Sequence, residues 1–130
     1  MSGMIEERKR VLVVDDDARI RDLFSNILGR AGYVVETAGT GKEALEKIQK
    51  ENPNVLLLDI QLPDSNGIEL LTTSDSHETV KIIVTGFSTE EVGKKAADFG
   101  ADDYLVKPVQ PEELLDTIRD RLATVSRKNP

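Results

Sequence analysis

Four short apolar runs in this chain each end at a polar residue. The runs span residues 11–14, 55–58, 82–84 and 104–106, and the polar residues that follow them are Asp15, Asp59, Thr85 and Lys107. Uninterrupted runs of Val, Ile and Leu are typical of strands that are buried on both faces in a parallel sheet. Parallel strands place their carboxyl ends along one edge, and open α/β sheets bind ligands at that edge. The sequence therefore predicts that these polar side chains meet in one crevice.

Three consecutive aspartates, Asp15, Asp16 and Asp17, follow the first run. One aspartate at a strand-to-helix turn usually caps the helix, and Asp17 is expected to take that role. Two further adjacent carboxylates repel each other, and a bound divalent cation would relieve the repulsion, so Asp15 and Asp16 are predicted cation ligands. Taken singly, Thr85 and Lys107 would be an ordinary strand residue and a solvated loop charge. Together with the carboxylates they indicate a hard cation that shares the crevice with a phosphoryl group.

The composition narrows the class of protein. A chain of 130 residues forms one domain with room for a hydrophobic core. Its net charge of −7 argues against direct nucleic-acid binding, and its lack of cysteine excludes disulfides and thiolate catalysis. No apolar run approaches the roughly 20 residues that cross a bilayer, and the charged amino terminus lacks a signal-peptide core. We therefore expect a cytoplasmic protein without membrane contact.

Helix signals alternate with the strand signals, which predicts five βα units in a doubly wound three-layer α/β sandwich. A second strand is expected at 33–38, and a shortened third helix at 68–73 precedes a polar loop at 72–79. The first helix should end at Gly32, and capping-box patterns at 40–43 and 88–91 should begin the second and fourth helices. Pro111 suits the first turn of the fifth helix. The expected inward faces comprise Ile20, Leu23, Phe24, Ile27, Leu28 and Ala31; Ala44, Leu45 and Ile48; Val92, Ala96 and Phe99; and Leu114, Leu115, Ile118 and Leu122.

Four ordered motifs resemble the receiver domain of two-component response regulators. They are VVDDD at 13–17, LDIQLP at 58–63, IVTG at 83–86 and GADDYLVKP at 100–108. The resemblance implies a flavodoxin-like fold with a parallel five-stranded sheet in the order 2-1-3-4-5. We expect the receiver domain at 10–123, between a charged arm at 1–9 and a polar tail at 124–130. Many relatives carry Asp-Gly in the loop after the third strand, where this chain has Asn66-Gly67; both suit a turn with positive φ.

The resemblance also implies residue roles. Asp59 is the expected phosphoacceptor, which attacks a phosphohistidine of a partner protein. Mg²⁺, or Mn²⁺, would be bound directly by Asp16 and Asp59, through water by Asp15, and by the backbone carbonyl of Gln61. Lys107 would pair with the phosphoryl oxygens and Thr85 would donate a hydrogen bond to one of them. The Lys107-Pro108 bond is expected to be cis.

Two further pairs of residues have implied roles in switching and in signal lifetime. Movement of Thr85 toward the phosphoryl group would let Tyr104 turn inward and reshape the surface of the fourth helix, fifth strand and fifth helix. Gln61 and Phe87 would frame the approach of water to the aspartyl phosphate. Since Phe87 offers no hydrogen-bond acceptor, slow self-hydrolysis is expected.

The expected partners are a sensor histidine kinase or a histidine phosphotransfer protein, and a downstream output domain or protein. The chain's one histidine, His77, falls in the predicted polar loop, so the phosphohistidine should come from another protein. We expect the chain to be a signalling domain that assists its own phosphorylation and dephosphorylation, not a turnover enzyme. Two alternatives remain: a phosphorylation-independent protein-interaction module, and an aspartate-nucleophile phosphatase with its nucleophile at the end of the first strand.

Overall fold

The computed structural model of the chain describes residues 8–72, 78–86 and 89–128. Five parallel strands form one sheet in the order β2-β1-β3-β4-β5, as predicted. The strands are β1 (Arg10–Val14), β2 (Val34–Ala38), β3 (Val55–Leu58), β4 (Val80–Thr85) and β5 (Asp103–Val106). The reversal of strand order between β1 and β3 creates a crevice at their carboxyl ends.

Helices cover both faces of the sheet. They are α1 (Ala18–Arg30), α2 (Gly41–Lys50), a 3₁₀ helix (Gly67–Thr72), α3 (Glu90–Asp98) and α4 (Pro111–Lys128). Successive strand residues point to opposite faces, so Leu12 and Leu56 contribute to one core cluster and Val11 and Val55 to the other. The first cluster includes residues of α2, the 3₁₀ helix and α3, and the second includes residues of α1 and α4. The predicted three-layer sandwich is confirmed.

The first helix begins and ends at the expected residues. Asp17 is the N-cap of α1 and its side chain accepts a hydrogen bond from the Arg19 amide, which confirms the predicted capping role. Gly32 follows the C-cap with a φ of 100°, and the Tyr33 amide donates to the Leu28 carbonyl in the pattern of a Schellman motif. Two inward assignments were wrong. Leu23 is 51% exposed because it lies at the margin of the buried stripe, and the exposed Ala31 is the C-cap itself.

Capping signals located the second helix correctly and the next full helix one residue too early. Thr40 caps α2 by accepting from the Glu43 amide, while the Glu43 carboxylate accepts from the Gly39 amide. The N-cap of α3 is Thr89, not Ser88, which lies outside the described residues. The helix ends at Asp98, so Phe99 is its C-cap and is 39% exposed. Its predicted inward position was therefore wrong, whereas Ala96 is buried as expected.

The third helix is short, as predicted, and is a 3₁₀ helix that follows an Asn66-Gly67 turn. The expected positive φ in this turn was wrong: within the described ranges, only Gly32 and Gly100 have positive φ. Gly67 is needed for space, since a Cβ there would lie 2.4 Å from the Asp59 carbonyl oxygen. The Gly67 amide donates to the Ile60 carbonyl at 2.8 Å, so the loop folds tightly against the end of β3. Most of the predicted polar loop, including His77, lies outside the described residues.

The last helix buries the expected face and is longer than predicted. Leu114 and Ile118 are fully buried, and Leu115 and Leu122 are partly buried against the second cluster. The helix continues to Lys128, so residues 124–128 of the predicted tail are helical. Val125 explains this extension, because it packs against the same cluster one turn beyond the predicted end.

Candidate functional site

Backbone hydrogen bonds bring the four strand-end residues together. The Asp15 amide donates to the Ala38 carbonyl, and the Asp59 amide to the Val14 carbonyl. The Lys107 amide likewise donates to the Thr85 carbonyl at 3.0 Å. These bonds continue the parallel ladder just beyond β1, β3 and β5, so each side chain begins from a fixed main-chain position. The predicted convergence at the carboxyl edge is confirmed.

Lys107 bridges two buried carboxylates. Its Nζ lies 2.6 Å from Asp15 Oδ2 and 2.8 Å from Asp59 Oδ2, and Asp15 and Asp59 are 3% and 5% exposed. Charge-assisted hydrogen bonds of this length are stronger than neutral ones, and they offset part of the cost of burying two negative charges. The Lys107-Pro108 peptide is cis, as expected.

The other Asp59 oxygen is bound by two neutral donors. Oδ1 accepts from the Thr85 hydroxyl at 2.9 Å and from the Gln61 amide at 3.0 Å. Thr85 is fully buried as the last residue of β4, which neighbours β3. Both oxygens of the Asp59 carboxylate are therefore held, which fixes the side chain in one orientation.

Burial and ion pairing shift the pKa values of Asp15 and Lys107 in opposite directions. Burial raises the pKa of Asp15, and the hydrogen bond and charge of Lys107 only partly counter it. Burial lowers the pKa of Lys107, but hydrogen bonds and charges from Asp15 and Asp59 outweigh that effect, so the pKa is raised. Lys107 consequently stays charged at neutral pH, while its pairing with Asp15 does not fully offset the effect of burial on the pKa of that carboxyl group.

The acidic run divides into three roles by position. Asp15 is buried, Asp16 is exposed, and Asp17 caps α1. Carboxylate oxygens of Asp15, Asp16 and Asp59 lie within 4.8 Å of one another. An all-oxygen donor set of this compactness suits a hard divalent cation such as Mg²⁺ or Mn²⁺. The loop that carries the Gln61 carbonyl begins beside Asp59 and would supply a further oxygen.

Tyr104 and Gln61, which are predicted to act in switching and in hydrolysis, are among the residues that the structure describes. Tyr104 is half-buried in β5 and packs against the first core cluster, on the side of α2 and α3. The Gln61 side chain is exposed, and Phe87 lies outside the described residues. Hydrogen bonds and the oxygen cluster bring together Asp15, Asp16, Asp59, Gln61, Thr85 and Lys107. Tyr104 lies on β5, the strand beside β4.

Two contacts at the rim were missed from the sequence. Arg21 Nη1 donates to the Asp15 carbonyl oxygen at 2.7 Å. The sequence does contain a sign of this contact, because Arg21 lies on the same helical face as the buried Phe24 and Leu28, where a charged residue is unusual. The Asp64 carboxylate accepts from the Gly41 and Lys42 amides at 2.8 and 3.0 Å, and these bonds lower the Asp64 pKa. That contact between distant segments has no local signal.

Comparisons with known proteins agree on one family. The family described as response regulator receiver domain matches residues 11–119. The DNA-binding response regulator MtrA of Mycobacterium tuberculosis (strain ATCC 25618 / H37Rv) is 35% identical over 116 residues, which cover 88% of this chain and 51% of MtrA. The chain spans about half the length of the curated relatives it matches.

Solved structures show the same similarity. The CheY-like receiver domain protein of Methanospirillum hungatei JF-1 has a TM-score of 0.90 and 41% identity, covering 95% of this chain and 100% of that one. Chemotaxis protein CheY4 of Vibrio cholerae has a TM-score of 0.81 and 34% identity, covering 88% and 98%. Over the part of the chain described here, no helix combines the length and apolar character needed to cross a membrane.

Proposed function

Because the chain belongs to the response regulator receiver domain family, we propose that Asp59 accepts a phosphoryl group from a phosphohistidine on a partner protein. The observation that carries this assignment is that the Asp59 carboxylate accepts hydrogen bonds from both Lys107 and Thr85. Those two donors are the groups that phosphoryl transfer needs beside the acceptor, since the reaction depends on positioning and charge neutralisation. The compact oxygen set of Asp15, Asp16 and Asp59 supports a divalent cation at the same place.

In the proposed reaction an Asp59 oxygen attacks phosphorus, and a P–O bond forms as the P–N bond to the partner's imidazole breaks. The electron pair of the broken bond leaves with the imidazole, which takes a proton from solvent. Lys107 and Thr85 would then bond to the transferred phosphoryl oxygens. Mg²⁺ or Mn²⁺ supplies positive charge that stabilises the phosphoryl oxygens during transfer. Asp16 and Asp59 would hold it directly, Asp15 through water, and the Gln61 carbonyl would complete the set.

The proposal includes a partner and an output. A receiver domain is a signalling domain, and its phosphodonor would be a sensor histidine kinase or a histidine phosphotransfer protein. In this proposal the domain assists its own phosphorylation and dephosphorylation and does not turn over a substrate. Response to phosphorylation would run through Thr85 and Tyr104 to the surface of α3, β5 and α4, which are the fourth helix, fifth strand and fifth helix of the predicted order. A cytoplasmic location is part of the same proposal.

The complete site weighs against both alternatives. An interaction module that had lost phosphorylation would have no need of two buried carboxylates, which cost free energy, on one half-buried lysine. A phosphatase of the kind considered would have its nucleophile at the end of β1. In this chain the carboxylate that accepts from both Lys107 and Thr85 follows β3.

Intact-mass measurement tests the proposal. With Mg²⁺ and acetyl phosphate, the chain should gain the mass of one phosphoryl group, and Asp59→Asn should gain none. The matched control is Asp98→Asn, which changes an exposed aspartate at the end of α3 and should be labelled like the parent. Borohydride reduction and peptide mapping would place the aspartyl phosphate. Full labelling of Asp59→Asn would overturn the assignment.

A further inference from the structure

The Arg21 guanidinium contacts the main chain just beyond two neighbouring strands, β1 and β2. Its Nη1 donates to the Asp15 carbonyl oxygen at 2.7 Å. A Cβ added to Gly39 would lie 3.0 Å from the same Nη1 and 3.4 Å from Cζ, so the guanidinium packs directly against the main chain after β2. The side chain thus lies between the turn that carries Asp15 and Asp16 and the turn that leads into α2.

We propose that Arg21 is a positioning residue for the divalent-cation site. The inference rests on the proposed function, because it assumes that Asp15 and Asp16 bind the cation. The Asp15 carbonyl belongs to the planar peptide unit that ends at the Cα of Asp16. Fixing that oxygen therefore fixes the peptide plane that ends at the Asp16 Cα, which leaves the φ rotation of Asp16 as the main-chain freedom of its side chain.

Asp16 depends on this support more than its neighbours do. The Asp15 carboxylate is already held by Lys107 and by the Asp17 amide, at 2.6 and 2.9 Å. The Asp16 side chain is exposed and gains no such enclosure. A metal ligand on an exposed turn binds well only if its main chain is held in advance, since otherwise binding must supply the ordering free energy.

The charge of Arg21 and its positioning role would have opposite effects on the affinity for Mg²⁺. A guanidinium close to a cation site repels the cation, so charge alone predicts that removing Arg21 strengthens Mg²⁺ binding. Loss of positioning predicts weaker binding. The sign of the change in Mg²⁺ affinity therefore separates the two effects.

Calorimetric titration with Mg²⁺ alone is the test, with no phosphodonor present. Arg21→Met should raise the Mg²⁺ dissociation constant about tenfold, the low end of the range for residues that support metal ligands. Arg19→Met is the matched control, because it removes the same charge from the same helix at a side chain that is 91% exposed. It should leave the dissociation constant unchanged or slightly lower. Arg21→Lys keeps the charge with fewer fixed donors and should give an intermediate loss.

Gly39→Ala provides a second approach that leaves Arg21 in place. The new methyl group would lie 3.0 Å from Arg21 Nη1 and should shift the guanidinium by a few tenths of an ångström. Mg²⁺ binding should therefore weaken less than in Arg21→Met, and the change should have no effect in the Arg21→Met background. This variant also decides the matter if Arg21→Met fails to fold. If the parent binds Mg²⁺ and Arg21→Met binds it equally well or more tightly, the inference about Arg21 is overturned and the proposed function is not. The same result in Gly39→Ala has that meaning when Arg21→Met does not fold. Failure of the parent to bind Mg²⁺ overturns the cation site of the proposed function.

Discussion

The Thr85 hydroxyl and the Asp59 carboxylate are joined across neighbouring strands by a 2.9 Å hydrogen bond, and both side chains are buried. Thr85→Val removes the hydroxyl with little change in volume. The variant should be phosphorylated by acetyl phosphate about fivefold more slowly, the rate equivalent of one hydrogen bond of about 1 kcal/mol. Thr85→Ser retains the hydroxyl and should stay close to the parent. The time course of the intact-mass gain measures both, and equal rates for Val and Ser would remove Thr85 from the mechanism.

The acidic run offers a matched pair of variants. Asp16→Ala should sharply weaken Mg²⁺ binding and phosphorylation, while its exposure makes the cost in stability small. Asp17→Ala should lower the free energy of unfolding by about 1 kcal/mol through loss of the α1 cap, with phosphorylation retained. Mg²⁺ titration, labelling and urea unfolding would be run on both proteins. Similar losses of labelling would show that the division between Asp16 and Asp17 is wrong.

Asp15 should make stability depend on pH. Burial raises the folded-state pKa of its carboxyl above the ordinary value of 3.8, so the ionised group destabilises the folded domain at neutral pH. This destabilisation is relieved as pH falls through the folded pKa toward 3.8. Asp15→Asn removes the ionisable group. The free energy of unfolding of the variant minus that of the parent should therefore be more positive at pH 7 than at pH 4.

Urea unfolding in EDTA at the two pH values measures that difference. Asp98→Asn, at an exposed position, controls for the general effect of removing one negative charge. If the difference in unfolding free energy between Asp15→Asn and the parent is the same at both pH values, or is larger at pH 4, the electrostatic explanation is contradicted.

Phe87 is predicted to slow hydrolysis of the aspartyl phosphate. Phe87→Glu would supply an acceptor that orients an attacking water, and dephosphorylation should be several-fold faster, roughly 1 kcal/mol off the barrier. Phosphate release after removal of the donor would be timed in both proteins. Similar lifetimes would point instead to the exposed Gln61 side chain or to general solvent access.

The sequence predicts the sheet and the reacting groups because both follow local rules. Each buried strand is visible as an apolar run, and each reacting side chain follows the end of its run, as with Asp59 after β3. Helix faces are predicted less well at helix ends, since α3 ends at Asp98 and leaves Phe99 as an exposed C-cap, although Phe99 continues the helical spacing of the buried Ala96. The contacts that depend on distant segments, such as Arg21 with Gly39, need the folded chain.

The same reasoning applies to the role of Gly67. The sequence identifies a glycine in a turn and suggests positive φ, which is the commonest reason for one. The actual reason is the close approach of the Asp59 main chain, and that depends on how the loop packs back on β3. Likewise, the resemblance placed Lys107 on phosphoryl oxygens, while its bonds to Asp15 and Asp59 emerge only from the assembled sheet edge.

The contact between the loop after β3 and α2 limits how this domain can be recombined with others. Asp64 binds the first amides of α2, and a Cβ at Gly41 would lie 2.1 Å from Ser65 Oγ. Positions 41, 64 and 65 therefore form one structural unit although they come from different parts of the chain. A chimaera that imports the corresponding loop of another receiver domain should import its residue at position 41 as well.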